Sequence, residues 1–222
     1  PPLVLQPLLE NAVYHGIEPG TTSGEVLVRI ERRGSRVLAS IETPYHEAYF
    51  QRFDSTGGFQ DPKAWQSFDV SVLDAAAAGF SGGTFDGRYI YLAPSGRSQV
   101  DAIAVRYDTT ASFAEAASFS PFDLQALTSS SGNLAFHGAT FDGRYVYFSG
   151  SNQEMVARFD STGDFGDSAA WKGFSLYKVS YDVQAAGGIA FDGRYLYVVS
   201  DAWGPALRFD ARSTPARRHA KP

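Results

Sequence analysis

The feature that most constrains the fold is a set of three short motifs that recur with one period. The first motif is Phe-Asp-Gly-Arg-Tyr, which recurs at intervals of 56 and 50 residues, beginning at Phe85, Phe141 and Phe191. The second motif is Arg-(Phe/Tyr)-Asp, with intervals of 54, 52 and 50 residues, beginning at Arg52, Arg106, Arg158 and Arg208. The third motif is a pair of aromatic residues three positions apart: Trp65 and Phe68, Phe119 and Phe122, Trp171 and Phe174. Because the three motifs keep one period, the sequence predicts a structural repeat of about 50 residues.

One repeat contains four short runs of β-forming residues. In the second repeat these runs cover residues 138–141, 145–149, 155–159 and 171–176. The Asp142-Gly143 pair between the first two runs predicts a tight hairpin turn with a positive φ at the glycine. Four antiparallel strands in about 40–50 residues are typical of a β-propeller blade. A β-sandwich is the alternative, but a sandwich would not repeat one motif set at a constant period.

The number of repeats leaves the predicted propeller incomplete. Two repeats are whole and a third lacks its fourth strand, over residues 79–127, 136–178 and 188–210. Only two propeller-type strands come before them, at 48–53 and 65–70, and we expect a hairpin at 26–41 to complete a hybrid blade with them. The predicted fold is therefore mainly β, an incomplete propeller of about three to four four-stranded blades, short of a usual ring. Its open edge strands could pair with other chains.

Residues 79–91 carry a resemblance to a known group of proteins. They resemble bacterial propeller-like repeat proteins whose unit follows the pattern GF-G-FDGRYVYF-P…ARYDT…W-FD. The resemblance covers residues 47–210. It implies a propeller-like fold and leaves the ligand open, because most members have no assigned activity. A protein, a peptide or a carbohydrate are the partners that we expect.

Residues 1–42 share none of the repeated motifs. Apolar residues fall there at helical spacing, and Gly16 stands where a helix would end, so the pattern predicts an amphipathic helix over residues 3–15. Two strands are predicted next, at 26–30 and 37–41, joined by residues 31–35. The N-terminal segment is thus predicted to be one α-helix followed by a β-hairpin.

Residues 1–17 resemble the asparagine-box helix of the sensor histidine kinase ATP-binding domain, in particular its LytS-like branch with the run PPLLLQPLVENAIKHGI. The predicted hairpin also matches the segment that follows in that family. The resemblance implies that Asn11 binds the Mg²⁺ that bridges the nucleotide phosphates, that Glu10 is a polar helper beside it and that His15 faces the phosphates. An oxygen ligand suits Mg²⁺. Mg-ATP is the only cofactor that the sequence implies, and only through this resemblance.

The chain departs from the kinase family directly after the hairpin. The family has an Asp-x-Gly-x-Gly box there, whose aspartate receives the adenine amino group, whereas residues 42–47 read Glu-Thr-Pro-Tyr-His-Glu. The second glycine box, the ATP lid and the phospho-acceptor histidine segment are missing as well. We therefore expect Glu10, Asn11 and His15 to be vestigial. The predicted domains are a kinase-like fragment at 1–42, propeller-like repeats at 43–210 and a disordered basic tail at 211–222. A gene fusion, a decayed gene or a joining artefact could each have produced the junction between the first two.

Composition excludes several classes of function. The chain has no cysteine, which excludes disulfides, thiolate metal sites and cysteine catalysis. Its formal net charge of −5 argues against a nucleic-acid partner. No run approaches the ~20 apolar residues that a membrane-spanning helix needs. The chain begins Pro1-Pro2 with neither methionine nor a signal peptide, so we interpret it as an excerpt or a processed piece, with a weak preference for the cytoplasm.

The repeated turns are the candidate site residues of the repeats. These residues are Asp86, Gly87, Arg88, Asp142, Gly143, Arg144, Asp192, Gly193 and Arg194. They could form a ring that binds a metal or ligand, but Asp-Gly pairs also make hairpin turns, and we favour the interpretation as turns. The arginine of the second motif could pair with a repeat aspartate and so support the architecture. Residues 160–167 have oxygen ligands at calcium-like density without the EF-hand order, which favours a capped loop.

No residue set in the sequence indicates catalysis. The four histidines lack metal-ligand spacing, and no serine elbow or glycosidase pair of carboxylates stands out. The aromatic residues of the strands could be core residues or a surface that stacks on carbohydrate or peptide. The sequence therefore predicts a non-catalytic binding or scaffold module. The alternatives are the ATP-binding portion of a two-component sensor histidine kinase and a fusion fragment without function.

Overall fold

A computed structural model describes most of the chain outside its ends. The described residues are 27–33, 36–42, 49–77, 79–96, 102–128, 134–150, 155–183, 186–200 and 204–212. The predicted helix at 3–15, with Glu10, Asn11 and His15, lies outside them, as does most of the predicted tail. The chain divides into two compact units, Pro1–Glu47 and Ala48–Pro222.

The first unit contains a β-hairpin. Strand β1 (Leu27–Arg33) pairs antiparallel with β2 (Arg36–Glu42), in a register that runs from Leu27 opposite Glu42 to Arg33 opposite Arg36. The ladder extends further towards the turn than the sequence predicted, so that only residues 34–35 separate the two strands. Since the hybrid blade would join this hairpin to the second unit, it stays a prediction.

The second unit is built from antiparallel sheets in which neighbouring strands are consecutive in the chain. Sheet 1 consists of β3 (Tyr49–Phe53) and β4 (Trp65–Asp69). Sheet 2 consists of β5 (Phe80–Phe85), β6 (Tyr89–Pro94), β7 (Ile103–Asp108) and β8 (Phe119–Asp123). Sheet 3 consists of β9 (Phe136–Phe141), β10 (Tyr145–Gly150), β11 (Met155–Asp160) and β12 (Trp171–Ser175). Sheet 4 consists of β13 (Ala186–Phe191), β14 (Tyr195–Ser200) and β15 (Leu207–Asp210).

The described structure is therefore mainly β, as the sequence predicted. The four strands predicted for the second repeat are those of sheet 3, within two residues at each end. Strands β4, β8 and β12 are the last strands of sheets 1, 2 and 3 and share one sequence pattern, so each is referred to as a fourth strand. Short 3-10 turns flank them, at Pro62–Ala64, Val70–Val72, Ala116–Ser118, Leu124–Leu127, Ser168–Ala170 and Leu176–Lys178. Within the residues described, no helix has the length and apolar character to cross a membrane.

The first strands of sheets 2, 3 and 4 lie side by side. Strand β5 is next to β9, and β9 is next to β13. The Ser81 hydroxyl donates a hydrogen bond to the carbonyl oxygen of Phe136. A Cβ atom at Gly82 would lie 3.3 Å from the Cα atom of Gly138, so the glycine permits the two backbones to approach closely.

The core lies between the sheets, in three layers. One layer joins sheets 1 and 2, a second joins sheets 2 and 3, and the third joins sheets 3 and 4. Strand β6 shows how alternation builds them, because Leu92 belongs to the first layer and Tyr91 and Ala93 belong to the second. Sheets 2 and 3 are thus covered on both faces, and no sheet among the described strands closes the row into a ring.

Candidate functional site

The Asp-Gly pairs of the first motif lie in the turns between the first and second strands of sheets 2, 3 and 4. In sheet 3 the Asp142 carboxylate accepts hydrogen bonds from the backbone N–H groups of Arg144 (2.8 Å) and Tyr145 (2.6 Å), and from the Tyr147 hydroxyl (2.9 Å). Gly143 has a φ of 101°, a conformation that glycine adopts without strain. Asp86 and Asp192 accept the same three bonds in their own sheets.

The arginine of the first motif makes the ion pair that links the motifs. Arg144 donates to the carboxylate of Asp160, the last residue of the second motif, at 2.8 Å. The equivalent pairs are Arg88 with Asp108 and Arg194 with Asp210. In these three pairs the partner of the aspartate is the arginine of the first motif, whereas the sequence had suggested that the arginine of the second motif could pair with a repeat aspartate. The register explains the difference, because Tyr145 lies opposite Asp160 and brings the neighbouring Arg144 within reach.

The arginine of the second motif lies over an aromatic ring. In sheet 3 the Arg158 guanidinium is 4.3 Å from the centre of the Tyr145 ring, and Arg106 and Arg208 lie over Tyr89 and Tyr195 in the same way. The planar guanidinium is attracted by the face of the ring. In sheets 1 and 2 this arginine also reaches the next sheet, where Arg52 lies over Phe113 and Arg106 over Phe165.

The pKa values of these groups follow from their partners. The hydrogen bond from Arg144, together with those from Thr162, lowers the pKa of Asp160 to about 2. Arg88 and Thr110 hold the pKa of Asp108 well below its ordinary value in the same way. Burial raises the pKa of the Tyr147 hydroxyl, and its hydrogen bond to Asp142 raises it further. The aspartates therefore stay ionised and the tyrosine stays neutral at ordinary pH, as a structural network requires.

The calcium-like loop at residues 160–167 is a capped loop in the structure. Asp160 accepts from the backbone N–H of Thr162, Asp164 from that of Gly166 and Asp167 from that of Ala169. Each carboxylate thus satisfies the backbone two residues further along, as in an Asx turn. Among the residues that the structure describes, no group of three or more histidine or acidic side chains could hold a metal ion.

The aromatic pair of the third motif joins each sheet to the next. Phe68 of sheet 1 stacks on Phe119 of sheet 2, with ring centres 4.1 Å apart and planes at 8°. Phe122 of sheet 2 stacks on Trp171 of sheet 3, with centres 4.3 Å apart and planes at 5°. The second aromatic residue of β4 therefore packs on the first aromatic residue of β8, and the second aromatic residue of β8 packs on the first of β12.

A phenylalanine lies six residues before the first aromatic residue of β4, β8 and β12 and adds a third ring to this stacking. Phe165 is buried against Trp171, whose indole N–H donates to the carbonyl oxygen of Phe165 at 2.8 Å. Trp65 donates to the carbonyl oxygen of Phe59 at 3.0 Å. This phenylalanine was not among the predicted motifs, although its constant distance from the third motif is visible in the sequence.

Sheet 4 lacks a fourth strand among the described residues, and an apolar groove runs between it and sheet 3. The groove has a volume of about 350 Å³. Its walls include Phe174 on β12, Leu176 just after that strand, and Leu207 and Phe209 on β15. Phe174 is 47% exposed and Phe209 is 48% exposed, whereas their equivalents in sheets 2 and 3 are buried: Phe122 for Phe174, and Tyr107 and Phe159 for Phe209.

A scan of the sequence against protein-family models finds no match, and a search of curated proteins finds none either. The geometry of the chain is therefore the basis for its functional interpretation. Of the predicted site residues, the structure places each Asp-Gly-Arg set in the turn of its own sheet. Glu10, Asn11 and His15 lie outside the described residues. The groove beside β15 and the phenylalanine before each aromatic pair are described features that sequence reasoning did not foresee.

Proposed function

We propose that the chain is a non-catalytic binding or scaffold module, built as an incomplete β-propeller of which sheets 1 to 4 are the blades. What supports the blade interpretation is the row of antiparallel sheets packed face to face, in which the first strands of sheets 2, 3 and 4 lie side by side. Its ligand, a protein, a peptide or a carbohydrate, would bind at exposed strands or at the loops of the module.

The observation that carries the proposal is the use of the repeated polar groups. Asp142, Arg144 and Tyr147 form one closed network with Asp160, and the network recurs in sheets 2 and 4. Because these side chains hold turns and strands together, their recurrence reflects architecture. A module of this kind acts through its surface.

The experiment is a binding screen with the purified full chain against arrays of peptides and of glycans. We expect saturable binding to a member of one class, without chemical change of the ligand as followed by mass spectrometry. A variant carrying Asp142→Ala and Asp86→Ala, which disrupts two turns, is the control and should lose the binding. Conversion of an array ligand into a product would contradict the proposal.

The kinase-like alternative has its own test. Mg-ATP is titrated into the full chain and into its Asn11→Ala variant by calorimetry. The proposal predicts no binding heat at millimolar nucleotide, because the glycine boxes of the kinase family are missing from the sequence. Saturable binding that is lost in the variant would favour the ATP-binding function instead.

A further inference from the structure

The groove beside β15 occupies a position that a fourth strand fills in the preceding sheets. In sheet 3 the third strand, β11, is covered by β12, and Phe159 lies opposite Trp171 in that ladder. In sheet 2 the third strand, β7, is covered by β8, and Tyr107 lies opposite Phe119. In sheet 4 the equivalent residue is Phe209, and the described part of the chain places no strand beyond β15. Two examples in one chain thus show what covers such a surface.

We propose that this groove binds an extended peptide strand of another polypeptide that carries the pattern of this chain's own fourth strands. That pattern is a phenylalanine, an aromatic residue six positions later and a phenylalanine three positions after that: Phe59, Trp65 and Phe68; Phe113, Phe119 and Phe122; Phe165, Trp171 and Phe174. The peptide runs antiparallel to β15 and completes its backbone hydrogen bonds, which is recognition by strand addition. The inference rests on the proposed binding function and names its ligand.

Each anchor residue of the peptide has a counterpart in the structure. Its central aromatic residue lies over Phe209 and stacks on Phe174, as Trp171 lies over Phe159 and stacks on Phe122. Its first phenylalanine packs against Tyr147, as Phe165 packs against Tyr91 of sheet 2. The aromatic stack that runs from sheet 1 to sheet 3 therefore continues into the bound peptide.

The charges of the groove favour an acidic peptide. Arg158, Lys172 and Arg208 lie along it. Arg158 is the equivalent of Arg106, which covers the ring of Phe165 in the next sheet. We assign the same role to Arg158 towards the first phenylalanine of the peptide, in a cation–π contact.

The ladders of the chain disfavour a second copy as the occupant. A copy would have to withdraw β4, β8 or β12 from its own sheet, and each of these pairs along its length with a third strand. A free extended peptide has no such ladder to break. Self-association through β15 is therefore an outcome that the test must separate from peptide binding.

The probe is a dye-labelled synthetic peptide of residues 57–72, which contains Phe59, Trp65 and Phe68 and has one more acidic than basic side chain. The full chain is titrated into it, and binding is followed by fluorescence anisotropy. We expect saturable binding, at least tenfold weaker for the peptide with Trp65→Ala and absent for a scrambled peptide of the same composition. A central aromatic anchor is expected to dominate the affinity.

Variants of the protein locate the binding to the groove. Phe209→Ser should weaken the peptide at least tenfold, because it removes the ring that the central aromatic residue covers. Phe85→Ser is the matched control, since Phe85 is 53% exposed on β5 and lies outside the groove. It should leave the affinity unchanged, and circular dichroism should show both variants folded.

Three results would overturn the inference. They are the lack of saturable binding at about millimolar protein, equal affinity of the wild type and Phe209→Ser, and a dimer that is lost in Phe209→Ser and is not dissociated by the peptide. The peptide and glycan arrays respond independently of this probe. Failure of the peptide alone removes the fourth-strand inference, whereas failure of both experiments removes the binding function as well.

Discussion

Trp171 and Trp65 occupy the same position in two repeats and have very different surroundings. Trp171 is buried and contacts the rings of Phe122, Phe148, Phe159 and Phe165. Trp65 is 38% exposed and contacts Phe53 and Phe59. Replacing each with alanine therefore removes the same side chain from an enclosed site and from a partly open one.

The expected costs follow from that difference. Trp171→Ala leaves a cavity between sheets 2 and 3 and should reduce the free energy of unfolding by about 3–5 kcal/mol. Trp65→Ala leaves a space that water enters, so only the transfer of its buried part is lost, about 1–2 kcal/mol. For a unit of this size, Trp171→Ala should lower the melting temperature by about 6–20 °C.

Urea denaturation followed by far-ultraviolet circular dichroism measures both variants against the wild type. The slope with urea should be shared by the three proteins, so that the midpoints report stability directly. Equal losses for the two variants, or a larger loss for Trp65→Ala, would refute the packing of sheet 3 on sheet 2.

Three further predictions concern the turns and the strands. Gly143→Ala should lower the free energy of unfolding by about 1 kcal/mol, because Gly143 has a positive φ, although a Cβ atom there would meet no other atom. Gly138→Ala should lower it less, because a Cβ atom there also meets no atom and the φ is not positive, and chemical denaturation compares the two variants. Stability should fall as the pH drops from about 4 through the folded-state pKa of Asp160, about 2, since the unfolded state then binds the proton more readily; Asp160→Asn should reduce that pH dependence of the urea midpoint. Tyr147 should remain un-ionised when exposed tyrosines titrate near pH ~10, because its pKa is raised, and Tyr147→Phe should leave the alkaline absorbance titration unchanged in that range.

Strand positions were predictable because the strands alternate between two buried layers. In β10, for example, Val146 and Phe148 belong to one layer and Tyr147 belongs to the other, and such alternation is visible in the sequence. Likewise, the Asp-Gly pairs indicated the turns, since few other residue pairs accept that backbone conformation.

The pairing of side chains was less predictable, because it depends on register. The motifs show that Arg144, Arg158 and Asp160 recur together, but the ladder decides which arginine reaches the carboxylate. The groove beside β15 was not predictable either, because its exposed rings follow from packing between sheets. The motifs show that the last repeat lacks its fourth strand, but only the stacking of Phe122 on Trp171 shows which ring would cover Phe174.

Hydrogen exchange of the backbone amides tests the central claim, that the described sheets repeat one plan and that no described strand covers the outer edge of β15. Strand β11 is paired on both sides, by β10 and β12, so its inner amides should all exchange slowly. Strand β15 is paired with β14, so alternate amides of β15 should exchange rapidly. Slow exchange along the whole of β15 would show that its outer edge is already covered, and rapid exchange along β11 would contradict the repeated sheet itself.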